Sequence, residues 1–220
     1  MTAWLPVALG RDIEPGAATG TTLNGVSIAL WRDARGTLHA WGDRCPHRGM
    51  RLSFGFVRED RLVCLYHGWQ FDGSGACRHV PAHPRMEPPG TVRTTRYRVL
   101  ERSGLVWVND PAGADDEDLP VLPAAPITPV RSVWIRARRE DVLQRLRTAI
   151  TDVEDNGAFF VGVLDSHDVL VACQVIDAHT TAVHMVSLGT PPATATVQGL
   201  VRRLHEIRDG AAVCATADAS

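Results

Sequence analysis

The chain has 220 residues, 45% hydrophobic and 22% charged, a composition that supports a buried core and excludes a disordered or fibrous protein. Its 23 basic residues against 25 acidic ones leave a formal charge of −2, so no basic field exists to hold nucleic acid or an anionic lipid surface. No run of about 18 apolar residues is present to span a bilayer, and the segment from Met1 to Pro6 lacks the basic-then-apolar pattern of a secretion signal; the expected location is the cytoplasm.

From Trp4 to Val108, short apolar runs at residues 26–31, 61–65, 69–71, 96–100 and 105–108 are punctuated by Gly, Pro and Asp. They predict an antiparallel all-β domain over residues 1–110, with hairpin turns at 33–36 and 72–75. Residues 111–130 hold four consecutive acidic residues, Asp115 to Asp118, and five prolines, which predicts an extended linker. Residues 131–220 change character. Helical periodicity runs through Val142, Leu143, Leu146, Ala149 and Ile150, and again through Val197, Leu200, Val201 and Leu204. Strands are predicted at 133–135, 159–164, 169–176 and 182–188, so the order is β-α-β-β-β-α, a small α+β domain with an open sheet covered by two helices. There is no internal repeat.

Five cysteines, an odd number at unequal spacing, argue for a metal site over a disulfide framework. Residues 45–49 read Cys-Pro-His-Arg-Gly and residues 64–69 read Cys-Leu-Tyr-His-Gly-Trp, so two loops each offer one thiolate and one imidazole. A Rieske [2Fe–2S] centre requires that supply, two cysteines on one iron and two histidines on the other. A Cys₂His₂ zinc site takes the same four ligands and stays open on composition alone. Against zinc, each loop mixes Cys with His, whereas zinc fingers pair Cys with Cys and His with His. Cys45, His47, Cys64 and His67 are therefore the candidate cluster ligands, with Tyr66 and Trp69 expected as core aromatics around the cluster.

The two motifs resemble the Rieske domain of Rieske non-haem iron oxygenases, from about Trp4 to Val108, followed here by an atypically short C-terminal part. Respiratory-chain Rieske proteins carry an extra cysteine in each loop; the matching places here hold Met50 and Tyr66, so the disulfide that ties those loops is absent. The resemblance implies one [2Fe–2S] cluster, a flavin or ferredoxin reductase as electron donor, and a homo- or hetero-oligomer containing an oxygenase catalytic chain. It also implies proton release from the histidine ligands on oxidation, so reduction becomes easier as pH falls.

The family's mononuclear iron is held by Asp-x-x-His-x₄-His and a later carboxylate. The nearest match here is Asp177-Ala178-His179 with His184, one residue short. On a helix Asp177 and His179 would lie about 200° apart. On a strand His179 and His184 would point to opposite faces. A second iron on Asp177, His179 and His184 is thus a weak candidate. Cys173 reads as a buried strand residue, Cys214 as a tail residue and Cys77 as structural; His79 and His83 read as surface residues. Arg44, Arg48 and Arg51 bracket the first loop, where they are solvated or available to an acidic partner.

Three functions follow. The first is one-electron transfer from a reductase to a mononuclear iron in a partner chain. The second is a self-contained short oxygenase, hydroxylating or demethylating a small organic substrate. The third is a redox-responsive binding or regulatory module.

Overall fold

The computed structural model describes residues 4–109 and 119–217. In chain order the first strands are β1 (Trp4–Leu9), β2 (Ala18–Leu23), β3 (Val26–Arg32), β4 (Leu38–Gly42), β5 (Phe56–Arg58), β6 (Arg61–Val63), β7 (Gln70–Asp72) and β8 (Cys77–His79). They are followed by β9 (Arg96–Arg102), β10 (Leu105–Asn109) and β11 (Ile127–Ile135), then helix α1 (Arg139–Ala149). The chain ends with β12 (Thr151–Asp155), β13 (Phe159–Leu164), β14 (His167–Asp177), β15 (Thr180–Leu188) and helix α2 (Thr194–Ala217). No helix among the described residues is long and apolar enough to cross a membrane.

The described residues form two compact units. The first takes residues 11–100 and 108–109, the second residues 4–10, 101–107 and 119–217. In the first unit, β2, β3 and β4 make an antiparallel meander flanked by β9, and β5 to β8 make a second, four-stranded meander. The β2–β3 turn is Asn24-Gly25, both at positive φ (49° and 81°), the pair that matches strand twist in a two-residue hairpin. The core of this unit gathers Trp31, Trp41, Leu52, Leu62 and Phe71 with Cys45, Cys64 and Cys77. Both expected cluster cysteines therefore lie on the inner side of their loops.

The second unit is a five-stranded antiparallel sheet, order β11-β15-β14-β13-β12. Because side chains alternate along a strand, Val169, Val171 and Cys173 of β14 and Val183 and Met185 of β15 share one face. They pack with Val142 and Leu146 of α1 and Leu200 and Leu204 of α2. Helix α1 has Glu140 and Asp141 in its first turn and Arg147 in its last, the arrangement that favours the helix dipole.

Three expectations need correction. First, the C-terminal order is β-α-β-β-β-β-α: β12 was not anticipated, since Thr151–Asp155 offers one apolar residue, Val153, and becomes a strand by pairing with β13. Second, residues 4–10 and 101–107 group with the C-terminal residues rather than with the cluster-bearing loops, because β1 pairs with β10 and Trp107 meets Phe159 of β13 edge-on at 6.1 Å. Third, β11 begins at Ile127, inside the expected linker, because residues 127–135 find a partner strand in β15. The acidic run Asp115 to Asp118 and Asp218 lie outside the described residues, as does the side chain of Cys214.

Candidate metal centre

The two loops share one backbone frame. In the first, the Cys45 N–H donates to Met50 O (2.8 Å) and the Gly49 N–H to Cys45 O (2.8 Å). In the second, the Cys64 N–H donates to Trp69 O (2.9 Å) and the Gly68 N–H to Cys64 O (3.0 Å). Gly49 and Gly68, at φ 72° and 67°, reverse each chain where a side chain would be strained. The same frame carries its histidine at the third position in one loop and the fourth in the other, which explains the unequal Cys–His spacing.

Their supports differ. The second loop is the β6–β7 connection of the small sheet. The first leaves β4 and enters a 3₁₀ turn at Leu52–Phe54. There the buried Asp43 carboxylate accepts the Ser53 N–H and the Ser53 hydroxyl, both at 2.7 Å, with the Arg51 guanidinium 4.0 Å away. Asp43 escaped the sequence reading because its partner lies ten residues downstream, beyond any local motif.

The four candidate ligands sort into an inner and an outer pair. Cys45 and Cys64 are both buried, whereas His47 is half-buried and His67 exposed. Burial, with the hydrogen-bonded Cys64 thiol beside it, pushes the Cys45 thiol up to about 11. Desolvation, then the neighbouring His67 and Arg48, lowers the basicity of His47 and favours the neutral imidazole a metal requires. The two rings sit 4.6 Å apart between centroids. Among the described residues no three His, Cys, Asp or Glu side chains converge so as to hold a single ion. An inner thiol pair and an outer imidazole pair fit a two-iron cluster with unlike ligands on its two irons better than one tetrahedral zinc.

Aromatic rings fix the outer pair. Trp69 lies flat against His47, centroids 4.3 Å apart and planes 6° from parallel. Tyr66 stacks on His67 at 3.8 Å. Tyr66 is 60% exposed, so it is a surface ring and not the core aromatic expected, because the His67 side of its loop faces outward. Trp69 is half-buried against the core of the first unit.

Arg44, Arg48 and Arg51 are exposed, as is His83, while His79 is half-buried. Cys77 is buried, its thiol directed at His79 O (3.7 Å), and fills core space. Cys173 is buried on the helix-covered face of β14, and burial pushes its thiol up to about 12.

Asp177, His179 and His184 are not brought together. Asp177 accepts the His179 N–H (2.8 Å) in the exposed turn between β14 and β15. His184 is 1% exposed on β15. Its Nε2–H donates to Gln174 Oε1 (3.2 Å) and its Nδ1 accepts from the Ser132 hydroxyl (2.9 Å), so both ring nitrogens are engaged.

Residues 3–98 match the Rieske [2Fe–2S] domain family. The chain is 37% identical to the oxidoreductase NdmD of Pseudomonas putida over 152 residues, 66% of this chain and 25% of that protein. It is 43% identical to the 4beta-methylsterol monooxygenase of Methylococcus capsulatus over 125 residues, 54% of this chain and 34% of that protein. These matches span a quarter to a third of the relatives' own lengths. In three dimensions the chain resembles apo dicamba monooxygenase with a TM-score of 0.77 at 19% identity, covering 100% of this chain and 89% of that one. It also resembles NdmA of Pseudomonas putida CBB5, with a TM-score of 0.69 at 21% identity over 94% of this chain and 78% of the other. With its paired Cys/His loops set in an antiparallel frame, the chain carries a Rieske [2Fe–2S] domain over residues 3–98, and over part of its length it is similar in sequence to Rieske non-haem iron oxygenases.

Proposed function

We propose that this chain relays single electrons, accepting one from a flavin- or ferredoxin-type reductase and delivering it to a mononuclear non-haem iron held by a partner chain of an oxygenase assembly. The carrying observation is the sorting of Cys45 and Cys64 inward and His47 and His67 outward on two loops of one frame. The [2Fe–2S] group, when bound, supplies one-electron storage at a potential raised by its two neutral imidazoles. The protein's residues do the rest. Cys45 and Cys64 anchor the cluster from within the core and exclude water from the sulfur side. His67 brings its end of the centre to the surface, and Arg44, Arg48 and Arg51 give that region positive charge that suits an acidic partner face.

A partner-held iron is favoured because Asp177 and His179 sit in an exposed turn while His184 is consumed inside the sheet. The self-contained oxygenase is kept as a second reading by the likeness of the fold to whole oxygenase chains.

Iron, acid-labile sulfide and zinc analysis of anaerobically purified protein, with the EPR spectrum of the reduced state, tests both. Two irons and two sulfides per chain, with a low average g value, support the relay. A third tightly bound iron supports the self-contained oxygenase. Zinc without sulfide overturns the cluster itself.

A further inference from the structure

The second unit holds a cavity of about 620 Å³ that belongs to neither the cluster loops nor the helix-covered core. Its volume falls in the range of small-molecule sites, roughly 300–1,000 Å³. Its position follows from strand alternation. Phe160 and Leu164 of β13 point into the core beneath α1 and α2, so Phe159, Val161 and Val163 point to the other face of the sheet. There Val161, Val163 and Leu188 line the cavity, which is open to solvent, together with Leu122 and Pro123 of the segment before β11.

That segment is held at two points. The Ser103 hydroxyl donates to Pro123 O (3.5 Å), and the Gly189 N–H donates to Pro126 O (2.9 Å). Phe159 supplies an aromatic wall, its ring held by the edge-on indole of Trp107. The cavity is thus a formed space with apolar walls.

Its charged lining is of one sign. Asp152 and Glu154 of β12 and Asp168 of β14 contribute carboxylates, and no lining residue is basic. The nearby Arg147 is engaged by Asp155, and Arg139 donates to Gly157 O (2.9 Å), so both guanidinium groups are directed to other acceptors. The three carboxylates do not converge on a point where a bare metal ion would be held. Carboxylates along the rim of an apolar cavity complement a molecule with a hydrophobic body and one positive charge.

From this geometry we infer that the cavity is a binding site for an organic ammonium, a primary or alkylated amine on an aromatic or aliphatic body. The body sits on Val161, Val163 and Leu188 against Phe159, and the ammonium faces Asp168 and Glu154.

Calorimetric titration of the full-length holoprotein at pH 7 with phenethylamine, phenylacetamide and phenylacetate separates charge from shape, since the three share a body and carry positive, zero and negative charge. Phenethylamine is expected to saturate the protein, the neutral amide to bind at least about tenfold more weakly, and the carboxylate not at all. Asp168→Asn and Glu154→Gln, both at exposed positions, should each weaken the amine severalfold while leaving the EPR signal unchanged. Val161→Trp should abolish binding by filling the space. Equal binding of amine and neutral amide, no saturation up to about 10 mM, or full affinity in the Asp168→Asn, Glu154→Gln double variant would overturn the proposal.

Discussion

The imidazole of His47 lies on the indole of Trp69 with ring centroids 4.3 Å apart and planes within 6° of parallel. One residue comes from each cluster loop, so the stack ties the loops together where a disulfide ties them in respiratory Rieske proteins. Among the described residues the cysteines are all free, and a ring contact takes over part of that restraint.

Replacing Trp69 by Leu should therefore loosen the His47 side of the centre without unfolding the protein. Loss of an aromatic stack costs about 1 kcal/mol, a factor of roughly five in an equilibrium. Iron release to a chelator should accelerate by about that factor. An unchanged release rate would show that the stack does not restrain the ligand.

Two buried cysteines in the same core should behave oppositely. Cys45→Ser is expected to abolish sulfide and the EPR signal. Cys77→Ala should retain both and lose only about 1 kcal/mol of stability to the small cavity it leaves. Loss of the cluster in Cys77→Ala would mean that this thiol takes part in ligation.

Asp43 clamps the turn after the first loop through two 2.7 Å hydrogen bonds to Ser53. Asp43→Ala leaves a buried N–H without a partner and removes charge-assisted bonds, at a cost of about 2–3 kcal/mol. Urea unfolding with an unchanged slope and a lower midpoint would report it, and a midpoint within error of the parent would refute it.

His184 carries a pH dependence of the second unit. Burial lowers its pKa from 6.5 to about 4. Between those values the unfolded state binds more protons, so stability is full above pH 6.5 and falls as the pH drops towards 4. The ceiling is about 3 kcal/mol, from roughly 2.5 units at 1.36 kcal/mol each. Urea midpoints measured across this window should fall with pH in the parent and fall less in His184→Gln; identical slopes would show that His184 is not the group responsible.

The loops themselves were legible because their information is local. A cysteine, a histidine two or three residues on and a closing glycine specify candidate ligand type and turn geometry within six residues, and the mixing of Cys with His in each loop is what pointed to a Rieske centre over zinc. The strands expected at 159–164 and 182–188 were legible for a similar reason, since β-branched runs between polar turns need no partner to be recognised; the second begins two residues earlier, at Thr180. Helices α1 and α2 showed themselves through their one-sided apolar stripes.

What the sequence by itself offered, then, is a candidate donor set at residues 45, 47, 64 and 67, and it determined the class of each half of the chain. Only the tertiary structure decided that β12 is a strand, since a polar segment with one valine gains its identity from the β13 edge. Only the structure grouped β1 and residues 105–107 of β10 with the second unit, and only it showed His184 enclosed by Ser132 and Gln174 from neighbouring strands. These are pairings between residues that belong to different elements, 5 positions apart at Asp155 and Phe160 and 52 at Ser132 and His184. Their energy depends on which faces meet after folding, a quantity that no local pattern encodes.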